Sequence, residues 1–374
     1  MNDGSPRAIV EEILISADSH VTEPGDLWTK QLPVGLRDRA PSFKDTYASR
    51  GGQPPLHLEG HRASDLKRAA ESKQLRYDDR AGGRDPNERL KAMAVDGVAA
   101  EVLYPTLGGR LFYLEDAELQ RACFQVYNDW LIEYCSAVPS RLFGIAAIST
   151  YDIDLAVKEI TRCKNAGLRG AMIWQYPPKE LPFTSNHYDR FWTAAQDLQM
   201  PVSLHISTGH GASKGFRNER GMESYRRTIN GRTQEIMDAL FEIVFSGVLE
   251  RFPRLQLVIV ENEVGWIPFW LQQSDRYFER YRFIDPLPMK NLPSEYFYRQ
   301  VYATFFNDEV GGRNLSWWGA DNCMWSSDYP HSNTTWPHSR EVIGRDLGHL
   351  PPAARSKLVG GNVARLYNLD IARF

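Results

Sequence analysis

Acidic and imidazole side chains recur directly after short apolar runs, in positions where they could bind a metal ion. They are Asp18 and His20, His205, Glu261, and Asp328 with His331. Carboxylate oxygens together with imidazole nitrogens form the mixed ligand sets that hold Zn, Fe or Mn. A single residue of this kind after a strand usually has a structural role. Its repetition after four separate apolar runs predicts a metal centre.

The sequence leaves the roles of several candidates open. Side chains alternate along a strand, so Asp18 and His20 point to the same side and could reach one cation. Glu23 is a further candidate ligand, or it could fix the turn that follows. His331 could bind the metal, or it could contact the substrate or a ligand from outside the coordination sphere. Glu261 could bridge two cations, pair with an arginine or cap its loop.

Short apolar segments must form the elements that position these side chains. Eight of them are strand candidates: 13–18, 98–105, 142–149, 170–174, 202–207, 257–262, 301–306 and 323–328. Amphipathic helical patterns lie between them, most clearly at 116–138, 154–167 and 233–252. This alternation predicts an α/β fold, a (β/α)8 TIM barrel, although a doubly wound open sheet has the same local pattern. In a barrel, the candidate ligands would share the rim at the carboxyl ends of the strands.

Two long polar segments interrupt the alternation. Residues 38–90 follow the first strand and are rich in Gly and Pro, and residues 207–233 follow the fifth strand. Insertions of this length in a compact domain are typically lids or binding loops. Because no repeat, low-complexity tract or linker divides the chain, we expect residues 1–374 to form a single domain.

Composition excludes several classes of protein. The net charge of −3 gives no overall cationic field, so we expect no nucleic-acid partner. The N-terminal residues lack the pattern of a signal peptide, and no apolar run is long enough to cross a membrane, which predicts a cytoplasmic protein. The four cysteines form no CxxC pair and are predicted to be buried free thiols.

The loop after the fifth strand is rich in arginine, although the chain is acidic overall. The basic residues between 214 and 232 include Arg217, Arg220, Arg226 and Arg227. Guanidinium groups bind phosphates through paired hydrogen bonds. The loop is therefore a candidate phosphate clamp for a carrier such as coenzyme A, with a solvated charged loop as the alternative.

Several motifs resemble the amidohydrolase superfamily, in particular the amidohydrolase-2 branch that contains relatives of aminocarboxymuconate-semialdehyde decarboxylase. The resemblance runs from about Leu14 to Leu369. It is carried by DSHVTEP (18–24), LHIST (204–208), VENEVGWIPFWL (260–271), WSSDYPHSNTTWP (325–337) and GGNVARLYNL (360–369). It implies that Asp18 and His20 are the metal pair of strand 1 and that His205 is the ligand of strand 5. Asp328 would be the carboxylate of strand 8, which binds metal or handles protons.

The chain also departs from that family's pattern. Many hydrolytic and decarboxylating relatives have His-x-His on strand 1 and a histidine on strand 6, where this chain has Asp18 and Glu261. Strand 4 ends in Trp174-Gln175, so no lysine is available there for carbamylation. The resulting carboxylate-rich site resembles a group of these barrels that are non-haem di-iron monooxygenases acting on coenzyme A thioesters in diterpenoid biosynthesis.

Our main expectation is therefore a di-iron monooxygenase that hydroxylates a largely apolar, coenzyme A-linked substrate. It would need two Fe ions, O2 and an external electron donor, would act as a homodimer, and would use Asp328, Glu261 and His331 in catalysis. The alternative is a hydrolase or decarboxylase with one Zn or Mn, in which Asp328 or a metal-bound water moves protons. A third interpretation is a degenerate barrel that only binds a ligand.

Overall fold

A parallel sheet of eight strands forms the centre of the molecule in a computed structural model, which describes residues 12–41, 80–211 and 222–373 except 316 and 332. The strands are β1 (Leu14–Val21), β2 (Val98–Pro105), β3 (Leu142–Ala147), β4 (Gly170–Ile173), β5 (Val202–His205), β6 (Leu257–Val260), β7 (Val301–Phe305) and β8 (Cys323–Trp325). They pair in sequence order, every neighbouring pair parallel. Each lies within or overlaps a predicted strand.

The sheet closes through the backbone of β1 and the segment that follows β8. The amide of Asp328 donates to the carbonyl of Asp18 at 3.0 Å, and the amide of His20 donates to the carbonyl of Tyr329 at 2.7 Å. The eight strands therefore form a nearly closed TIM barrel, which confirms the predicted fold and excludes the open sheet.

Helices cover the outside of the barrel. Those that the structure describes are α1 (Leu27–Gln31), α2 (Pro86–Asp96), α3 (Ala117–Ser136), α4 (Ile153–Asn165), α5 (Asp189–Asp197), α6 (Met222–Arg226), α7 (Arg232–Phe245), α8 (Val248–Arg251), α9 (Ile267–Tyr281), α10 (Pro293–Gln300), α11 (Glu309–Asn314), α12 (Ser339–Leu347), α13 (Pro352–Ser356) and α14 (Asn362–Tyr367). Every residue of β1 and of β3 to β8 is buried, as expected of parallel strands covered on both faces. The four cysteines are buried and form no disulfide, as predicted.

Both predicted long connections are present. Residues 22–97 separate β1 from β2, and residues 206–256 separate β5 from β6. The second connection is less irregular than predicted, because α6 is followed by a π-helical turn (Arg227–Gly231) that leads directly into α7. In the described ranges, we find no helix with the length and apolar character needed to span a membrane.

A buried ion pair joins α2 to the barrel. The helix begins at Pro86, where the side chain of Asp85 accepts the amide of Asn87 at 2.8 Å. One turn further on, the Arg89 guanidinium pairs through Nε with Glu101 of β2, and both side chains are almost inaccessible to solvent. Arg89 also donates to the carbonyl of His20 at 2.6 Å. The pair therefore fixes the backbone that carries a candidate ligand.

Removing the arginine should be costly, since Glu101 would keep a buried charge without its cation. We expect Arg89→Met to lower the free energy of unfolding by about 3 to 5 kcal/mol, measured by urea denaturation. Lys91→Met on the same helix removes an exposed pair with Glu88 and should leave stability almost unchanged. Equal unfolding midpoints for the two variants would show that the buried pair does not stabilise the barrel.

Candidate metal centre

The carboxyl ends of β1, β5, β6 and β8 bring most of the predicted site residues together. Ligand atoms of Asp18, His20, His205 and Glu261 all lie within 4.8 Å of one another. The same holds for His20, Glu261, Asp328 and His331. The two groups share His20 and Glu261, so they form one continuous cluster, which we call the donor cluster.

An irregularity in β1 places the first of these residues. Ser16 pairs with Glu101 of β2 and Ser19 pairs with Leu103, so Ala17 and Asp18 lie opposite a single residue. Such a bulge re-aims side chains locally and is common beside active sites. The Asp18 carboxylate consequently lies next to His20, with its Oδ1 atom 3.4 Å from the Nε2 atom of that ring.

The two histidines face each other through their Nε2 atoms, which are 3.2 Å apart. The Nδ1 atom of His20 lies 3.0 Å from the carbonyl of Pro105, and that of His205 lies 3.1 Å from the carbonyl of Ile206. Because Nδ1 donates to a carbonyl, the neutral ring presents a lone pair at Nε2, as metal-binding histidines do. Two such nitrogens about 2.1 Å from one ion would lie about 3.0 to 3.4 Å apart, which agrees with this geometry.

Asp18 provides a second indication of a cation. Both of its carboxylate oxygens are buried, and neither accepts a hydrogen bond from the part of the chain that the structure describes. Its Oδ1 atom also lies 3.8 Å from the Nε2 atom of His205. A buried carboxylate of this kind is costly unless it is paired or bound to a metal. The donor cluster therefore fits a divalent ion with nitrogen and oxygen ligands.

The buried charges shift the histidines in different directions. Burial, together with the charges of His331 and His205, holds the pKa of His20 well below its usual value. Burial also acts to lower the pKa of His205, but the side chain of Asp18 and the charge of Glu261 outweigh it and raise that pKa. Asp18 and Glu261 therefore both favour a positive charge at the His205 ring.

Asp328 and His331 form a close pair at the end of β8. The Nδ1 atom of His331 lies 2.9 Å from the Oδ1 atom of Asp328, and its Nε2 atom lies 3.2 Å from the hydroxyl of Thr106. The ring stacks on that of His20 with centroids 3.9 Å apart. Burial lowers the pKa of His331 to about 3, and nearby cationic groups act in the same direction. The neutral ring can therefore donate to Asp328 through Nδ1.

Backbone strain is concentrated at these strand ends. Four of the described non-glycine residues with positive φ follow β5, β6 or β8: Ser207, Glu261, Glu263 and Asp328. The values, between 54° and 60°, lie in the left-handed region that side chains other than glycine rarely adopt. Strain of this kind persists where the surrounding structure enforces it, which is common at functional sites. It orients Glu261 and Asp328 toward the donor cluster.

Glu23 occupies a different position from the one considered in the sequence. Its carboxylate accepts the amides of Leu107 at 2.8 Å and Gly108 at 2.9 Å. Burial raises its pKa to about 7. Glu23 thus fixes the loop after β2, and its ligand atoms do not belong to either group of the donor cluster.

The described residues include only part of the arginine-rich loop. Arg217 and Arg220 lie outside the described residues, and of Arg227 only the backbone is described, in the π-helical turn. Arg226 is exposed and forms an ion pair with Glu223 of the same helix at 3.4 Å. In the part of the loop that the structure describes, this exposed ion pair is typical of a solvated charged helix.

Arg89 and Glu101, which fix the backbone of His20, were not predicted from the sequence. One signal could have identified them, because Glu101 is a charged residue within the apolar run VAAEVLYP of a buried strand. A carboxylate at such a position requires a buried partner. The partner itself, on a helix 12 positions earlier, carries no comparable signal.

Several known proteins that are similar to this chain are decarboxylases. The chain is 24% identical over 266 residues to γ-resorcylate decarboxylase of Polaromonas sp. (strain JS666), covering 65% of this chain and 75% of that protein. It is 26% identical over 272 residues to the same enzyme of Rhodococcus jostii (strain RHA1), with the same coverage. The structure of 5-carboxyvanillate decarboxylase from Sphingomonas paucimobilis has the same fold, with a TM-score of 0.69, 22% identity, and coverage of 96% of this chain and 100% of that one.

These findings show that our main functional expectation was wrong. The relatives are decarboxylases, which release CO2 without net oxidation and so require neither O2 nor an electron donor. γ-Resorcylate and 5-carboxyvanillate are small aromatic carboxylic acids, which contradicts the predicted monooxygenase, its oxidoreductase class and its acyl-coenzyme A substrate. The carboxylate at Glu261, which we interpreted as a bridge between two metals, does not by itself require a second ion.

The prediction of two Fe ions is also wrong. The decarboxylase structures of Polaromonas sp. JS666 and of Novosphingobium aromaticivorans contain bound manganese. Nitrogen and oxygen ligands of the kind present in the donor cluster suit manganese as well as iron. Ligand type alone therefore could not select iron.

The sequence pattern of the amidohydrolase family (Amidohydro_2) matches residues 18–369, which include every strand end of the donor cluster and nearly the whole barrel. The predicted superfamily is thus confirmed, whereas its di-iron monooxygenase group is not supported. The chain belongs to the amidohydrolase-2 family.

Proposed function

We propose that this protein is a metal-dependent, non-oxidative decarboxylase of small aromatic carboxylic acids. The observation that carries the proposal is the donor cluster, in which buried carboxylates and two facing imidazoles converge at the mouth of the barrel. Decarboxylase relatives in the same family support the reaction class. This is the reaction of our alternative, mononuclear interpretation.

One divalent ion, manganese or zinc, is the proposed cofactor. Asp18, His20, His205 and Glu261 would hold it, since their ligand atoms lie within 4.8 Å of one another and the group includes Asp18, whose oxygens accept no hydrogen bond from the described residues. Asp328 lies beside this group, with its Oδ1 atom 3.5 Å from the Nε2 atom of His20, and could complete the coordination. When bound, the ion supplies positive charge that balances the carboxylates and attracts the anionic oxygens of an aromatic acid.

The reaction itself replaces a carboxylate by a proton. The bond between the ring carbon and the carboxylate breaks, a C–H bond forms at the same carbon, and CO2 leaves, with no change in the oxidation state of the protein. A group near the ring carbon must therefore deliver a proton. Asp328 is the proposed proton carrier, because it is a buried member of the donor cluster and lies next to His331.

His331 is the proposed positioning residue for that carboxylate. Its Nδ1 atom lies 2.9 Å from the Oδ1 atom of Asp328, and the hydroxyl of Thr106 contacts its other nitrogen. Since the ring also stacks on His20, it links the proton carrier to the metal ligands. Rotation of the Asp328 side chain is restricted as a result.

The sequence-based predictions on domain organisation, cellular location, nucleic-acid binding and oligomeric state remain proposals. We propose that residues 1–374 act as one domain and that the protein works in the cytoplasm without nucleic acid. A homodimer also remains a prediction. The exposed side chains of Phe269 and Tyr277 on α9 provide an apolar surface that a second copy could cover.

The ligand assignment predicts the behaviour of His205→Ala. After purification without chelator, this variant should lose most of its bound metal, as measured by mass spectrometry, because one of the two facing nitrogens is gone. His338→Ala, which changes an exposed histidine, should retain the wild-type content. Full metal content in His205→Ala, with an unchanged circular dichroism spectrum, would rule out His205 as a ligand.

The reaction class predicts turnover without oxygen. Protein loaded with manganese should release CO2 from 2,6-dihydroxybenzoate or 5-carboxyvanillate at equal rates in air and under strict anaerobic conditions. The absence of any CO2 release from these and other hydroxylated benzoates, by protein that binds its metal, would contradict the proposed function.

The proton step predicts the behaviour of Asp328→Asn. This variant keeps the size of the side chain but cannot carry the proton, so kcat should fall about 10²- to 10⁴-fold. Metal bound by the other residues should be largely retained. If the metal is lost together with activity, Asp328 is mainly a ligand and another group must deliver the proton.

A further inference from the structure

A short 3-10 helix after β2 crosses the mouth of the barrel. It spans Gly108–Tyr113, and the two carboxylate oxygens of Glu23 accept the amides at its start. A Cβ atom on Gly108 would lie only 2.9 Å from one of these oxygens, so the close approach requires glycine. We call this element the mouth helix.

Contacts at both ends place the mouth helix beside the donor cluster. Just before it, the hydroxyl of Thr106 contacts the ring of His331, which follows β8. At its other end, the hydroxyl of Tyr113 donates to the carbonyl of Ser207, which follows β5. The element thus connects the segment after β8 with the segment after β5, and residues 107–112 lie between these two contacts.

Arg110 is in the middle of this element. Its Nη1 atom is buried but has no hydrogen-bond partner within the described ranges. Two other arginines near His331 are already used, since Arg89 pairs with Glu101 and Arg80 donates to the carbonyls of Pro330 and His331. A buried guanidinium nitrogen without an acceptor is costly, and it indicates that a ligand supplies the acceptor.

The charge of the site also favours a cationic side chain near the substrate. Asp18 and Glu261 balance a divalent ion, and Asp328 is neutral while it carries the proton. An anionic substrate would then bring negative charge that no member of the donor cluster offsets. Arg110 carries a permanent charge four positions beyond Thr106, whose hydroxyl contacts His331, so it can offset the charge of such a substrate.

We infer that Arg110 binds an anionic oxygen that the substrate keeps throughout the reaction, so that the preferred substrates are aromatic acids with a second carboxylate. This inference rests on the proposed decarboxylation. A guanidinium bound to the departing carboxylate would stabilise the reactant more than the transition state, in which that negative charge moves into the ring. Binding to a retained carboxylate avoids this loss, because that charge is the same before and after the reaction.

The product of such a reaction keeps the anionic group, so binding can be measured without turnover. The probes are vanillate, which is 5-carboxyvanillate after loss of CO2, and its neutral amide of similar shape. We expect manganese-loaded wild type to bind vanillate about 10- to 100-fold more tightly than the amide, as determined by calorimetry. Arg110→Met should abolish this preference while leaving the affinity for the amide unchanged, and Arg110→Lys should restore part of it.

Controls separate this result from damage to the site. Arg190→Met removes an exposed arginine that pairs with Asp154, and it should keep the full preference for vanillate. Metal content and circular dichroism of the Arg110 variants should match wild type. A preference for vanillate that persists in Arg110→Met, or its absence in wild type, would overturn the assignment. A preference that requires Arg110 in a protein without decarboxylase activity would support the anion site and reject the proposed reaction.

Discussion

Hydrogen bonds between β1 and the segment after β8 are the constraint on which the rest of the site depends. Asp328 donates from its amide to the carbonyl of Asp18, and His20 donates to Tyr329. These bonds join the first and last strands, and they bring together two acidic residues that are more than 300 positions apart in the chain. The donor cluster can form only because the barrel closes at this point.

Closure creates an electrostatic cost that the surrounding structure must offset. Three carboxylates lie at one rim, and the oxygens of Asp18 have no donor among the described residues. Below them, Arg89 and Glu101 form a pair of their own and add no net charge. A bound cation would therefore have to balance the charge at the rim. The strained backbone at Glu261 and Asp328 would keep these carboxylates directed at that cation.

The sequence was sufficient to predict the barrel and most of the donor cluster. Each apolar run became a strand, and the end of a parallel strand determines on which rim its next polar residue lies. It was insufficient for Glu23, because a carboxylate beside a strand end can face the site or accept amides from the next loop. Arg110 was missed for a related reason. Its importance depends on which side chains lack partners, and only three-dimensional packing determines that.

The error about the reaction has a more general physical cause. Imidazole and carboxylate groups bind iron, manganese and zinc alike, so the ligand set restricts the metal without selecting the chemistry. Replacing a histidine on strand 6 by Glu261 adds a negative charge to the site. That charge can be balanced by a second metal ion, as we first assumed, or by a cationic side chain. In this molecule, Arg110 of the mouth helix has a buried Nη1 atom without a hydrogen-bond partner among the described residues. The extra carboxylate therefore does not by itself require a second ion.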